Sequence, residues 1–351
     1  MGIAVEVPDD LDAALSPAWL TDALQERFPG IEIRAVRRGP VVERLSTNAR
    51  FTVDYKGRFD LPRHLCIKGY FGEVGRHIPF VGEPEACFYR DLAGPSGIRT
   101  LKCVYADVHP DSRHGVVITH DEVANGGDFL DGNDPFDVEQ AADALTELAR
   151  LHAITWRAQR WADVEWLQPR LGRAVQAWGE ARTLEIMSAN LNGRNGVGVP
   201  RAVADAEQLL AAHRRVSART PDGEAQWCVI HGDAHVGNIM LDVTKRPWMV
   251  DWQLVQRGFW DVDVGYLIAA TLPPDIRRAS ERDLLHHYLE ALDAHGIYSP
   301  PRDEAWAAIV NGMIHGFFLW AITTKVEPDV IAVLLERLGT AVADHAEMVM
   351  R

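Results

Sequence analysis

The stretch 227–263, WCVIHGDAHVGNIMLDVTKRPWMVDWQLVQRGFWDVD, constrains this chain more than any other. Its apolar start, Cys228-Val229-Ile230, reads as a short buried strand. The sequence then turns abruptly polar at His231-Gly232-Asp233-Ala234-His235, and Asn238 follows five residues after Asp233. Ile239-Met240-Leu241 and Trp248-Met249-Val250 read as two short strands around a turn from Asp242 to Pro247, with Asp251 directly after the second. Two carboxylates and an amide thereby converge on one end of a hairpin.

Phosphoryl transfer uses such a set of groups. One carboxylate orients the acceptor hydroxyl and takes its proton, while an amide and a second carboxylate hold the metal ion that neutralises the phosphates. Loop oxygen ligands suit Mg²⁺, which keeps part of its water and shares its shell with a nucleotide. On this reading Asp233 is the catalytic base, and Asn238 and Asp251 are metal ligands. The order base, Asn, metal Asp is that of the protein-kinase catalytic loop and DFG segment. Two other readings stay open on the residues alone. His231, Asp233 and His235 alternate as zinc-hydrolase ligands do, and the segment also reads as a purely structural polar turn.

The form H-G-D-x-H-x-x-N followed by V-D-W-Q resembles the aminoglycoside phosphotransferase and choline-kinase-like families, particularly the branch that includes ecdysteroid-kinase-like proteins. The resemblance spans residues 31 to 290 and is most specific over 231–253. It implies an α+β, two-lobed protein-kinase-like fold, with a small β-rich N-lobe over a larger helical C-lobe. Residues 1–122 would form the N-lobe, 123–127 the hinge, and 128–351 the C-lobe with the catalytic loop and acceptor site. It also implies ATP and Mg²⁺ as cofactors, and transfer of the γ-phosphoryl group to a hydroxyl of a small molecule. That acceptor would be an amino alcohol, an aminoglycoside-like compound, a sugar or a sterol-like alcohol. The alternatives are the same chemistry on a hydroxyacyl-CoA, or a catalytically silent nucleotide-binding module.

In the first lobe, residues 9–28 read as one or two short helices, ended by Pro29-Gly30. Strands are expected at Ile31 to Arg37 and Arg50 to Tyr55. Between them, where a kinase places its phosphate-covering loop, there is no GxGxxG. Ser46-Thr47-Asn48 is the small polar tip whose N–H groups would reach phosphate oxygens. Lys68 ends the strand His64-Leu65-Cys66-Ile67-Lys68, which by itself reads as a solvated edge lysine. The resemblance instead pairs Lys68 with Glu85 of a helix over residues 83–94 to hold the nucleotide phosphates, on an E-x-x-F-Y spacing; Glu83 is the competing partner. Strands at Leu101 to Val108 and Gly115 to Thr119 bring the first-lobe total to about five. His120-Asp121-Glu122-Val123 stands at the hinge, where relatives read E-D-L, and this places Asp121 and Val123 beside the adenine edge.

From Pro135 the pattern is helical. Leu145, Leu148, Ala149, His152 and Trp156 share one face. The Leu151-His152-Ala153 piece resembles the helix beneath the catalytic loop, with His152 as a packing residue. Further helices are expected over 171–190, 201–218, 264–272, 276–295, 301–324 and 329–349. The resemblance gives His231 and Asp263 supporting structural roles, Asp263 capping the catalytic-loop backbone in competition with Asp261. Trp156, Trp252 and Trp320 are candidates to line the acceptor pocket.

A formal charge of −14 argues against nucleic acid as partner. The four cysteines stand singly in apolar segments, as in a reduced, cytoplasmic protein without a disulfide framework. No signal peptide or membrane span is evident. Residues 1–124 carry 15 Lys/Arg against 18 Asp/Glu, and 125–351 carry 21 against 32, so the acidity (−3 against −11) belongs to the second part. Asp128, Asp131, Asp134 and Asp137 read either as a solvated acidic surface or as a patch steering a neutral or amine-bearing acceptor.

Overall fold

The computed structural model describes residues 6–77, 79–222 and 225–349. It resolves into two compact units, residues 1–128 with Val250–Leu254, and residues 129–249 with 255–351.

The first unit is built on a five-stranded antiparallel sheet. Its strands are β1 (Glu32–Glu43), β2 (Thr47–Lys56), β3 (His64–Gly69), β4 (Cys103–Val108) and β5 (Gly115–His120), in the order β1-β2-β3-β5-β4. Alternation in β2 turns Ala49, Phe51 and Val53 inward, where they meet Leu65, Ile67, Val116 and Ile118. Two N-terminal helices, α1 (Leu11–Ala14) and α2 (Pro17–Leu24), cover this face with Ala14, Leu20 and Leu24. Each starts on a side-chain cap: the Asp10 carboxylate accepts from two backbone N–H groups, and the Ser16 hydroxyl accepts from Trp19 with Pro17 in the first turn.

The expected loop over Gly39 to Ala49 is instead the end of a long hairpin. Register shifts between Arg38 and Val41 let β1 continue to Glu43 before the turn at 44–46. The helix expected over 83–94 runs from Pro79 to Cys87 and is called α3; it passes into a wide turn at Phe88–Leu92. Proline is well tolerated in a helix's first turn, which makes Pro79 the start and leaves Pro84 inside.

Val250–Leu254 joins this first unit, although the sequence expectation put the whole of 128–351 in the helical lobe. Trp252 is the reason. Fully buried, it stacks on Phe88 at 3.7 Å between centroids, and its indole N–H donates to Thr100 Oγ1 at 2.9 Å.

The second unit is mainly helical. Helix α4 (Val138–Thr155) opens on a capping box in which Asp137 and Gln140 satisfy each other's backbone N–H groups. Other helices of the unit include α5 (Ala206–Ser217), α6 (Trp260–Thr271), α7 (Pro274–Ala294), α8 (Val310–Ala321) and α9 (Pro328–Asp344), of which α6 and α7 pack on α4. The helix expected over 171–190 is broken at Gly179, and that over 301–324 divides at Ile309. Every residue of α6 is buried, so it is the central helix of the unit. It packs backbone to backbone on α8: a Cβ on Gly312 would run into the carbonyl oxygens of Asp261 and Val262, so only glycine fits.

Two small antiparallel ladders flank the helices. One pairs β6 (Trp227–Ile230) with a later strand, Gln256–Phe259. The other pairs β7 (Ile239–Leu241) with β8 (Pro247–Met249). No helix among the described residues is long and apolar enough to cross a membrane.

Candidate active site

The loop from His231 to Asn238 links β6 to β7 and brings four of the expected residues together. Asp263, in the first turn of α6, accepts from the backbone N–H of His231 at 2.6 Å and of Gly232 at 2.8 Å. His152 contributes a third donor, its Nε2 lying 3.1 Å from Asp263, while its Nδ1 accepts from the Tyr288 hydroxyl at 2.8 Å. Burial alone would raise the Asp263 carboxyl, but the His152 hydrogen bond, the nearby His231 and the Gly232 N–H together hold it below the ordinary carboxylate range. The rival Asp261 is turned away from the loop, held by Arg219 and by Asn311.

Asp233 has both carboxylate oxygens engaged. The Tyr266 hydroxyl donates to Oδ1 at 3.2 Å and Asn238 Nδ2 donates to Oδ2 at 3.0 Å. Trp320 Nε1 in turn donates to the Tyr266 oxygen at 2.8 Å. His235 Nε2 is 3.6 Å from Asp233 Oδ1, and its ring meets Trp320 edge to face. Burial pushes the Asp233 pKa up, but His235, His231 and His315 outweigh it and hold the group at about 2. Asp233 is therefore ionised at any physiological pH.

In the first unit, Lys68 Nζ lies 2.7 Å from Glu85 Oε2 and 2.8 Å from Asp251 Oδ1. Burial works against the ammonium charge, but Asp251 and Glu85 more than compensate and push the lysine above its ordinary value. Glu83, the competing partner, pairs instead with Arg113. Asp251 adopts φ +63°, a left-handed conformation that few non-glycine residues take, and Gln253 Nε2 also donates to its Oδ1.

Other expectations change. Ser46, the last residue of the hairpin turn, and Thr47, the first of β2, are buried, and Asn48 bonds back to Ser46, so they are not an exposed tip. Thr47 lies opposite Gly69, in the register that brings Asn48 opposite Lys68. At the hinge position, the Asp121 side chain accepts from Arg50 and from Ala124 N–H, and its own N–H donates to His64, so both groups are committed within the fold. The Val123 N–H has no partner among the described residues. Of the acidic cluster, Asp131 and Asp134 close a turn and Asp137 caps α4. Trp252 packs in the core of the first unit, whereas Trp320 is the candidate tryptophan beside Asp233.

Among the described residues, no three His, Cys, Asp or Glu side chains gather as metal ligands, and the His231 ring accepts from Asp233 N–H at 3.3 Å instead of facing a shared ion. The donors suited to Mg²⁺ are of another kind. Asn238 spends its amide N–H groups on the Asp233 backbone and side chain, which leaves Oδ1 as a ligand oxygen. Asp251 adds a carboxylate. Each is a hard oxygen donor of the type that Mg²⁺ takes.

The phosphotransferase enzyme family model (APH) matches residues 91–305, more than half of the chain. The chain belongs to the APH phosphotransferase family. Among solved structures it resembles choline kinase from Cryptosporidium parvum Iowa II, at 11% identity and a TM-score of 0.56, over 95% of this chain and 97% of that one. It also resembles the Plasmodium vivax ethanolamine kinase, at 9% identity and a TM-score of 0.52, over 92% and 86% of the two chains. No curated protein sequence matches it. At these identities the two structures establish the fold, which is the expected kinase-like α+β class. This APH protein is a small-molecule phosphotransferase.

Sequence reading missed Tyr266, His213 and His315, which lie around the loop. Tyr266 had a signal: it lies three residues after Asp263 on one helix, which puts both on the same face. His213 and His315 had none, since each stands in an ordinary helical pattern.

Both buried histidines, His213 and His315, are held below the ordinary imidazole range, chiefly by burial. In the unfolded chain they take up protons near pH 6.5, whereas in the fold they stay neutral, so the unfolded state binds more protons below that pH. Their contribution to stability should be complete above about pH 7. It should fall as the pH drops below about 6.5, by at most about 1.4 kcal/mol per pH unit for each histidine. Thermal unfolding at pH 7.5 and 5.5 checks this, and identical midpoints would contradict it.

Proposed function

We propose that this APH protein transfers the γ-phosphoryl group of ATP to a hydroxyl of a small, neutral or amine-bearing alcohol. The observation that carries the reading is Asp233: an ionised carboxylate whose two oxygens are aimed by Tyr266 and Asn238. Asp233 orients the acceptor hydroxyl. With so low a pKa it takes the proton late, as suits a loose transition state in which the nucleophile is barely deprotonated when the P–O bond to ADP breaks. The new bond joins the acceptor oxygen to the γ-phosphorus, ADP leaves, and the proton passes to Asp233 and then to water.

Lys68, fixed by Glu85, binds the phosphates, and the hinge Val123 N–H meets the adenine edge. Asn238 and Asp251 hold Mg²⁺, which when bound neutralises phosphate charge. Ser46 to Asn48 contribute at most backbone N–H groups. Tyr266, His235 and Trp320 pack as an aromatic cluster next to Asp233, a low-charge surrounding that favours an apolar or cationic acceptor over a polyanion. The acidic residues after the hinge add nothing to this argument, since three of them are turn and cap groups.

Transfer is direct. Cys87 and Cys228 are buried and Cys66 and Cys103 partly so, and burial pushes the thiols of Cys66, Cys87 and Cys103 up to about 12 and that of Cys228 well above the ordinary thiol range, so none supplies a thiolate to carry phosphate. Initial rates should be measured with Mg–ATP against amino alcohols, aminoglycosides, sugars, sterol-like alcohols and hydroxyacyl-CoAs. Intersecting double-reciprocal plots and a preference for a neutral or amine-bearing alcohol are expected. Parallel lines would contradict direct transfer, and a clear preference for the CoA ester would overturn the acceptor class.

A further inference from the structure

The peptide group that joins Gly232 to Asp233 is held at both ends. Its N–H, on Asp233, donates to His231 Nδ1 at 3.3 Å. Its C=O, on Gly232, is met by His315 Nε2 at 3.0 Å. Gly232 itself has φ +79°, a conformation open to glycine at no steric cost, so nothing intrinsic to the chain holds the peptide there. His315, on α8, is buried and leads to a second buried histidine, His213 on α5, whose Nε2 lies 3.2 Å from His315 Nδ1. The His213 ring is stacked on Phe318 at 3.7 Å between centroids and 11° between planes. Among the described residues, His213 Nδ1 has no hydrogen-bond partner.

Only one proton arrangement satisfies these contacts. A carbonyl oxygen only accepts, so His315 must carry its proton on Nε2. Neutral His315 then has a lone pair on Nδ1, which requires His213 to donate from Nε2. That leaves the lone pair of His213 on Nδ1, at the buried position without a partner. Were His213 in the other tautomer, two lone pairs would face each other at 3.2 Å. His315 would then move its proton to Nδ1, and the Gly232 carbonyl would lose its donor.

We propose that His213 and His315 form a positioning relay, in which His213 sets the tautomer of His315 and His315 fixes the peptide that aims Asp233. Neither touches a reacting atom; they act through Gly232, as the outer partner of a ligating or catalytic histidine fixes its orientation. The inference rests on the reading of Asp233 as the base.

The test uses the full-length protein, with Mg–ATP hydrolysis as the probe and water in place of the unidentified acceptor. His315→Phe keeps the ring volume and removes the donor. It should lower kcat by about 10- to 100-fold with the KM for ATP within about 2-fold, as expected for a misaimed but present base. His315→Gln places an amide donor near the Nε2 position and should recover most of that loss. His213→Phe keeps the stack on Phe318, frees the His315 tautomer and should give an intermediate loss. ¹⁵N spectra of the wild-type protein should show His315 as the Nε2–H tautomer, a measurement that does not depend on any variant folding.

Variants that unfold at lower temperature yet keep the wild-type kcat would overturn the relay, as would an Nδ1–H tautomer at His315. Asp233→Asn run alongside separates the two failures. If it abolishes hydrolysis while His315→Phe does not lower kcat, the relay alone is wrong. If it leaves hydrolysis intact, the assignment of the base falls and the relay's catalytic role with it; if the wild type does not hydrolyse ATP, the same comparison is run with the alcohol that the acceptor panel selects.

Discussion

Asp233→Asn is expected to lower kcat by about 10²- to 10⁴-fold, the range a positioned general base contributes, while Mg–ATP affinity stays within about 3-fold. The substitution preserves shape and removes charge. The new amide can present its oxygen to Asn238 Nδ2 and its NH₂ to the Tyr266 oxygen, so the two contacts made by the carboxylate are exchanged and not abandoned. The cost to the fold should be about 1 kcal/mol, the ordinary worth of a rearranged hydrogen bond. Single-turnover rates and nucleotide titrations on the same preparation separate chemistry from binding. A kcat within 10-fold of wild type would show that another group takes the proton; His235, 3.6 Å from the same carboxylate, would be the next to examine.

Asp251→Ala should fail in a different way. Removing this carboxylate takes away a metal ligand, so Mg²⁺ should no longer tighten ATP binding. Turnover should fall by about 10²- to 10³-fold, equivalent to roughly 3 to 4 kcal/mol of lost charge stabilisation. ATP binding without metal should be unchanged or slightly tighter, because Lys68 loses one of its two carboxylate partners and keeps the other, Glu85 at 2.7 Å. Alanine is less at ease than aspartate at φ +63°, which adds a modest stability loss of about 1 kcal/mol. Calorimetric titration of ATP with and without Mg²⁺ reads the effect directly. A variant whose ATP affinity still rises with Mg²⁺ as in the wild type would remove Asp251 from the metal site.

Short-range pattern carried the sequence reading wherever a residue's neighbours lie close along the chain. The strands at 228–230 and 239–241 were visible as brief apolar runs between turn residues, and the loop between them as the polar run from His231. The Lys68–Glu85 pair came from strand and helix placed in succession, together with the resemblance. Where local signals competed, the local reading slipped: Pro84 resembles a helix start but lies inside the helix, and the small polar residues Ser46 to Asn48 resemble a tip but enter a strand. The strand Gln256–Phe259 went unseen because its polar sequence is made a strand by pairing with Trp227–Ile230, some thirty residues earlier.

The sequence by itself determined the family, whose members transfer phosphoryl groups, and the order along the chain of Asp233, Asn238, Asp251 and the helix that carries Asp263. Periodicity could also say which residues of α5, α6 and α8 are buried. It could not say which helix each buried face would meet. Only the tertiary structure decided that Tyr266, Trp320, His213 and His315 surround one peptide and one carboxylate, since they come from three helices up to about a hundred residues apart. The same holds for Trp252, which packing draws to Phe88 in the first unit. A hydrophobic stripe fixes an inside and an outside along one helix, whereas the crossing of two helices depends on close approaches such as Gly312 against the Asp261 and Val262 carbonyls, which no local pattern encodes.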